Sequence, residues 1–398
     1  MKKIIFFILL FIPLYVYALE YPSTDSKYVE VYDLNDKKIL YEDNSNEKVS
    51  IASLTKIATT ITAIENIDDL DEEVTITSEI LNTVSWEASI AGLKAGDKVT
   101  YRDLLYASML PSGADATNSI AILSSGNIDN FVNKMNELVN RIGLKNTHFK
   151  NVTGLDSNDH YSTTDEVRKL LEYSLKNETF REVFTTKEYK LSNGLIVKTT
   201  LNTYNKNNSY DINKILGSKT GYTDSAGYCL ASLNNINGHD VLILVLKASS
   251  FNGKYFNMVD TYRLIDFLNT NYKEEVLVEK DKLVKEIDVI LSNIDNYKIY
   301  SKQEVRKYLP SDYDESKISI KYNGLNKLSF WNRKDKKIGT ISYYYDDELV
   351  LEEDVILDTK IHISKFLLLI IIIIVIVFYY KKKIKRKKKR RKQIKKRK

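Results

Sequence analysis

The spacing of apolar residues changes period along the chain, and the changes mark out its elements. Tyr28 to Tyr32 and Lys38 to Tyr41 alternate on either side of Asn35-Asp36, which predicts a two-stranded hairpin. Leu54, Ile57, Ala58 and Ile61 then recur at helical spacing. Tyr101 to Leu110 is a second helical stretch, stopped by Pro111. Ile128 to Ile142 is a third, with Phe131, Met135, Leu138 and Ile142 on one face. Thr163-Thr164-Asp165-Glu166 has the form of a capping box and opens a helix striped by Val167, Leu170 and Leu171. After about residue 185 the period shortens to that of strands. Tyr189 to Leu191 and Ile196 to Thr199 flank Asn193-Gly194, a hairpin signal. Lys214 to Tyr222, Gly227 to Leu233 and Val241 to Ser249 predict three adjacent antiparallel strands, and Phe256 to Leu268 a closing helix. Strands at both ends and helices between them predict a mixed α/β (α+β) fold, in which one antiparallel sheet joins the two ends and is flanked by helices.

From Lys273 onward the pattern alternates throughout. Val276 to Val278, Ile287 to Ile290, Tyr297 to Tyr300, Ile318 to Tyr322, Ile338 to Tyr343 and Leu349 to Leu351 predict a small all-β domain. Phe366 to Tyr380 is then an unbroken apolar run, shorter than the roughly 20 residues that span a bilayer. Ile361 and Ile363 are expected to extend it, with Lys365 snorkelling. All but three residues of the following tail, Lys381 to Lys398, are Lys or Arg. Such a block beside an apolar helix sets orientation, with the basic side in the cytoplasm. At the other end, Lys2 and Lys3 precede the apolar stretch Ile4 to Ala18, the form of a signal peptide. The expected order is therefore a signal peptide at 1–18, the mixed domain at 19–272, the all-β domain at 273–360, a transmembrane helix at 361–380 and a basic cytoplasmic tail at 381–398. The location that follows is the cell membrane, single-pass, with the mixed domain outside the cytoplasm.

Composition adds limits. The 398 residues, 43% hydrophobic and 28% charged, suit a globular protein with room for two cores. The net charge of +6 belongs to the two ends; the remainder is net acidic, and nothing in it suggests a nucleic-acid surface. Cys229 is the lone cysteine, so no intramolecular disulfide forms. His148, His160, His239 and His362 match no metal-ligand spacing, and no cofactor motif is present.

Candidate chemistry rests on three short stretches. Ser53 and Lys56 lie one turn apart at a helix start, where a lysine of lowered pKa can take the proton of a serine hydroxyl. Alone, the pair also reads as a helix-start serine beside a snorkelling lysine, and Ser45-Asn46-Glu47-Lys48 repeats the pattern in a polar loop. Ser112, after Pro111, reads alone as a helix cap. Lys219-Thr220-Gly221 reads alone as an exposed strand with a bend. In this order, at a helix start, between helices and on a strand, the three match the motif set of β-lactamases and penicillin-binding proteins.

The chain resembles the low-molecular-mass penicillin-binding proteins, the serine D-alanyl-D-alanine carboxypeptidases of peptidase family S11. The resemblance spans roughly Tyr28 to Leu268 and takes in Gly92 to Asp97, Leu144 to Phe149, Gly154-Leu155-Asp156, Tyr161-Ser162 and Gly217 to Leu230. Lys337 to Ile341 is similar to the C-terminal β domain of these enzymes. The resemblance implies a β-lactamase/DD-peptidase-like catalytic domain. It implies that Ser53 forms an acyl-enzyme with the carbonyl between two terminal D-alanines, that Lys56 is its base, and that Ser112 relays a proton to the leaving amine. Lys219 and Thr220 would bind the substrate carboxylate, Gly221 would admit the bound peptide, and the N–H groups of Ser53 and Tyr222 would form the oxyanion hole. The implied partners are peptidoglycan stem peptides ending in D-Ala-D-Ala, with β-lactams as inhibitors. Repulsion between the two lysines is expected to help keep Lys56 neutral.

The second motif departs from the family. Ala114 stands where an Asn amide would contact the lysine base and the substrate, and Asn118, one turn on, is a candidate replacement. Thr153 stands where some members carry histidine. A class A β-lactamase is the nearest alternative, but no Glu between Ser112 and Lys219 is followed four residues later by Asn. An endopeptidase, a transpeptidase and a catalytically weak peptidoglycan or β-lactam sensor remain as the other readings.

Overall fold

The computed structural model describes residues 19–207, 210–292 and 294–395; the stretch read as a signal peptide lies outside them. The chain divides into two compact units after Tyr272.

The first unit is built on a five-stranded sheet. Its strands are β1 (Tyr28–Asp33), β2 (Lys38–Asp43), β3 (Ile215–Thr223), β4 (Gly227–Ile236) and β5 (His239–Ala248), in the order β2-β1-β5-β4-β3. Neighbours are antiparallel throughout. β5 is central because Val241 to Leu246 is apolar without interruption and fully buried, as a strand covered on both faces must be. β1 pairs with it, Val29 opposite Val245 and Val31 opposite Ile243, so the sheet does join the start of this region to its end. β3 is an edge strand, which leaves one side of Lys219-Thr220-Gly221 free of sheet pairing.

The helices are α1 (Thr55–Asn66), α2 (Tyr101–Met109), α3 (Ala114–Ser125), α4 (Ile128–Arg141), α5 (Thr164–Ser174), α6 (Glu178–Thr185) and α7 (Phe256–Asn271). α1 is buried on every face from Thr55 to Ala63. Its apolar residues join a core with Leu104, Leu105, Phe131, Met135, Leu170 and Leu171. Two of its buried threonines meet backbone acceptors: Thr55 donates to the Ala52 carbonyl at 2.9 Å and Thr59 to that of Val152 at 2.8 Å. A helix fixed on all sides is a rigid mount for the residue at its start.

The capping box expected at Thr163 forms only by half. Thr163 accepts the Glu166 N–H at 3.1 Å, but the Glu166 carboxylate turns away to accept the N–H groups of Lys145 and Asn146 and the hydroxyl of Thr147. A complete box opens α2 instead, between Thr100 and Asp103.

The second unit is rich in strands. Leu283–Ile290 lies between Asn296–Tyr300 and Lys327–Ser329, and Lys337–Tyr345 lies between Ile318–Gly324 and Glu348–Ile356. Ile287, Ile299, Leu328, Ile341, Tyr343 and Leu357 are among its core residues. It ends in a helix of 31 residues, Lys365–Lys395. Ile361 does not extend this helix, because it is buried in the core of the second unit at 3% exposure. Nor does Ile363, which forms a bridge with Ser292. Among the described residues no helix is long and apolar enough to cross a membrane.

Candidate active site

Ser53 sits in the single 3-10 turn, Ala52–Leu54, that leads into α1. Its neighbour Ala52 has φ of 47°, left-handed and costly for a residue with a Cβ, at about 1–2 kcal/mol. The surroundings hold it there. The Ala52 carbonyl accepts from Thr55 Oγ1, which lies 2.8 Å from His160 Nε2. His160 Nδ1 accepts the Lys150 N–H at 3.2 Å, so the proton sits on Nε2 and is donated to Thr55. Burial keeps this ring neutral by lowering its pKa to about 4. Gly154, at φ +88°, lies so close that a Cβ there would come within 1.9 Å of the Ala52 carbonyl oxygen.

Lys56, one turn into the helix, donates to Ser53 Oγ at 3.0 Å and to the Thr153 carbonyl at 2.7 Å. It is fully enclosed, and burial lowers its pKa to about 7, against the opposing pull of Asp115. The hydroxyl therefore faces an amine that is substantially unprotonated at neutral pH. Lys219, on β3, is also buried, and its Nζ donates to the Thr220 carbonyl at 2.8 Å. Its pKa is pushed well below the usual value, first by burial and then by Lys56. The expected repulsion between the lysines thus acts on Lys219, whereas desolvation is what neutralises Lys56.

Ser112 lies in the turn between α2 and α3 with φ of 65°. It caps nothing: the start of α3 has no side-chain cap, and Ser112 Oγ is buried without a hydrogen-bond partner among the described residues. Asp115 accepts the N–H groups of Ala91, Gly92 and Leu93 at 2.8, 2.9 and 3.0 Å, and the Ala114 N–H donates to the Ser89 carbonyl at 2.7 Å. The second motif is thereby stapled to the 89–93 segment. Asn118 does not replace the missing amide, because its side chain donates to the carbonyl and hydroxyl of Thr83.

On β3, the Thr220 and Thr200 hydroxyls are 2.5 Å apart. At Gly221 a Cβ would lie 2.9 Å from the Ser53 nitrogen, so only glycine lets this strand approach the turn so closely. Tyr222 is half exposed, with its hydroxyl on Asp224 at 2.9 Å.

Ser53, Ser112, Thr220, Gly221 and Tyr222 line one cleft of about 400 Å³, while Lys56 and Lys219 are buried. Glu87, Ser89, Thr200 and Tyr204 line it too and carry no local sequence signal. The Thr153 carbonyl, a direct partner of Lys56, is betrayed only by its place before Gly154-Leu155-Asp156. Elsewhere, Asp33, Asp36 and His239 bring three potential metal-ligand atoms within 4.8 Å. Asp33 uses one oxygen on the Asn35 N–H and the other on His239, which accounts for the cluster as a turn lock. Chemically, the cleft offers a hydroxyl with its proton acceptor in contact, a second enclosed hydroxyl and a close-approaching strand edge, the parts of covalent acyl transfer.

The family model described as D-alanyl-D-alanine carboxypeptidase matches residues 16–250. D-alanyl-D-alanine carboxypeptidase DacF of Bacillus subtilis is 27% identical over 335 residues, which cover 83% of this chain and 84% of that protein. The D-alanyl-D-alanine carboxypeptidase of Streptomyces sp. strain K15 is 34% identical over 226 residues, 53% of this chain and 77% of that one. Among solved structures, the Streptomyces K15 DD-transpeptidase has a TM-score of 0.55 at 29% identity, covering 62% of this chain and 98% of its own. A peptidoglycan synthesis regulatory factor (PBP3) from Streptococcus pneumoniae shares the fold, with a TM-score of 0.64 at 20% identity, over 85% of this chain and all of that one.

Proposed function

Because this chain belongs to the D-alanyl-D-alanine carboxypeptidase family and is a serine-type enzyme of that kind, we propose that it removes the terminal D-alanine of peptidoglycan stem pentapeptides through an acyl-enzyme on Ser53. Lys56 takes the Ser53 proton, and Oγ attacks the carbonyl between the two D-alanines. The N–H groups of Ser53 and Tyr222 stabilise the resulting oxyanion. Ser112 passes a proton to the departing amine as the C–N bond breaks, and water then releases the shortened peptide from Ser53. Lys219 and Thr220 bind the free carboxylate, and Gly221 lets the peptide lie along the strand. β-Lactams acylate the same serine.

The observation that carries this reading is the 3.0 Å contact between Ser53 Oγ and the amine of Lys56, whose burial lowers its pKa to about 7. A hydroxyl in water has no such acceptor. The reading extends to the ends of the chain. The start, residues 1–18, directs export. The apolar run Phe366 to Tyr380 enters the bilayer, and the basic tail Lys381 to Lys398 stays in the cytoplasm.

A fluorescent penicillin should label the protein covalently at Ser53, and a pentapeptide ending in D-Ala-D-Ala should lose one D-alanine. Labelling that persists in Ser53→Ala would sink the site assignment. Labelling of the unaltered protein with no release of D-alanine would make it a sensor that traps β-lactams.

A further inference from the structure

The second unit carries an exposed apolar rim at the end from which its long helix departs. Three segments build that end. Strand Leu283–Ile290 runs into Leu291, whose carbonyl accepts the Ser364 N–H at 3.1 Å, while Ser292 bridges Ile363. Lys327–Ser329 runs parallel beside it, with Ser329 opposite Ile290, and opens the loop Phe330 to Lys336. That loop is fastened to the last stretch before the helix, through Asp335 N–H to the Leu357 carbonyl at 2.8 Å and Leu357 N–H to the Lys336 carbonyl at 3.0 Å.

At this end the apolar residues point outward. Trp331 is 76% exposed, Phe366 73%, Leu291 47% and Ile290 46%. The loop is not slack. Asn332 accepts the Ser329 N–H at 2.8 Å, and the Phe330 and Trp331 rings lie 4.4 Å apart. A tryptophan held out on a braced turn, beside other exposed apolar side chains, marks a surface that is covered in use. After Asn332 come exposed Arg333, Lys334 and Lys336, with exposed Asp335 among them.

Helix length supplies the occupant. The uncharged run Phe366 to Tyr380 rises about 22 Å, against a hydrocarbon core of about 30 Å. It cannot lengthen toward its start, because Ile361 is locked in the core of this unit. A short span is met by thinning the bilayer, by snorkelling of flanking residues or by oligomerising, and thinning brings the flanking protein toward the lipid interface. The flanking protein here is the apolar rim, and tryptophan is the side chain that favours that depth.

We propose that this end of the second unit is a membrane-contact surface, in which Trp331 with Ile290, Leu291 and Phe366 seats in the headgroup–acyl boundary of an anionic bilayer, and Arg333 and Lys334 pair with lipid phosphates. The proposal rests on the reading that the C-terminal helix enters the membrane. It makes that anchor a two-part device: the helix holds the chain, and the rim fixes the unit against the lipid surface.

The chain has two tryptophans, so full-length Trp86→Phe reports on Trp331 alone. Its emission is to be recorded in vesicles of phosphatidylcholine and phosphatidylglycerol whose acyl chains carry bromine near the headgroup, with flotation measured in parallel. The expected result is flotation, a blue-shifted Trp331 emission and quenching by about half or more. Adding Arg333→Glu and Lys334→Glu should weaken quenching in the anionic vesicles while flotation persists. A chain that floats with Trp331 unshifted and unquenched overturns the surface and leaves the anchor standing, pointing to a protein partner for the rim. A chain that does not float overturns both.

Discussion

At the scale of single residues, the site turns on where positive charge is withheld. Lys56 is buried and its pKa falls to about 7. The amine is neutral above that pH and charged below it. The base form therefore grows as pH rises through about 7, and the rate of penicillin acylation should fall about tenfold per pH unit below it and level off above about pH 8. Stopped-flow labelling from pH 5 to 9 measures this directly, and a flat profile would remove Lys56 from the role of base. Lys56→Arg should abolish labelling, because a guanidinium keeps its proton. Ala114 invites a different test. Adding the family amide by Ala114→Asn would restore a contact if the cleft had room for it. Ala114 is 1% exposed, however, and the segment above it is stapled by Asp115 and by the Ser89 carbonyl. Ala114→Asn should thus displace that segment and slow acylation several-fold, with a lower melting temperature. A faster rate would mean that the amide reaches the cleft after all.

At the scale of elements, the proposed nucleophile, Ser53, depends on a turn that the backbone resists. Ala52 is held left-handed by Thr55, His160 and the close approach of Gly154. Gly154→Ala should be severe, since its methyl would come within 1.9 Å of the Ala52 carbonyl oxygen and its φ is +88°. Loss of more than about 2 kcal/mol of stability and at least about tenfold slower acylation are expected, read by thermal melts and labelling. The elements themselves were largely legible. The stripe of α4 and the three long strands follow from periodicity, because each buries one face or both, and the β1–β2 hairpin follows from its alternation, although no residue of β2 is fully buried. What was not legible depends on contacts between distant segments. Glu166 abandons its capping box because residues 145–147 offer it better donors. Asn118 turns to Thr83, and Ile361 leaves the helix for a β core, both through partners that no local pattern announces. The motif residues were visible as types at fixed spacings, whereas the Thr153 carbonyl, the Ser89 staple and the strain at Ala52 belong to the backbone, which side-chain identity does not reveal.

At the scale of the whole molecule, the two units differ in what they must supply. Every residue lining the cleft falls before Tyr272, as do Lys56 and Lys219. The core around α1 draws on residues from Tyr32 to Leu246, and the core of the second unit begins at Leu277. The first unit also fastens its own ends. Asp260 on α7 accepts the N–H groups of Asp25 and Ser26 and the Ser26 hydroxyl, tying the closing helix to the segment that precedes β1. Tyr21 donates to Tyr272 at 2.8 Å, at the junction itself. A domain with a closed core and tied ends can fold without its neighbour. Residues 19–272 alone should therefore melt cooperatively and be acylated by penicillin within about twofold of the full-length rate. Their activity on intact cell-wall sacculi attached to membranes should fall far more, because the truncated chain lacks both the helix and the rim around Trp331. Equal kinetics on penicillin with a large loss on sacculi would assign the second unit to delivery. An acylation rate reduced more than about tenfold would instead show that the second unit completes the site.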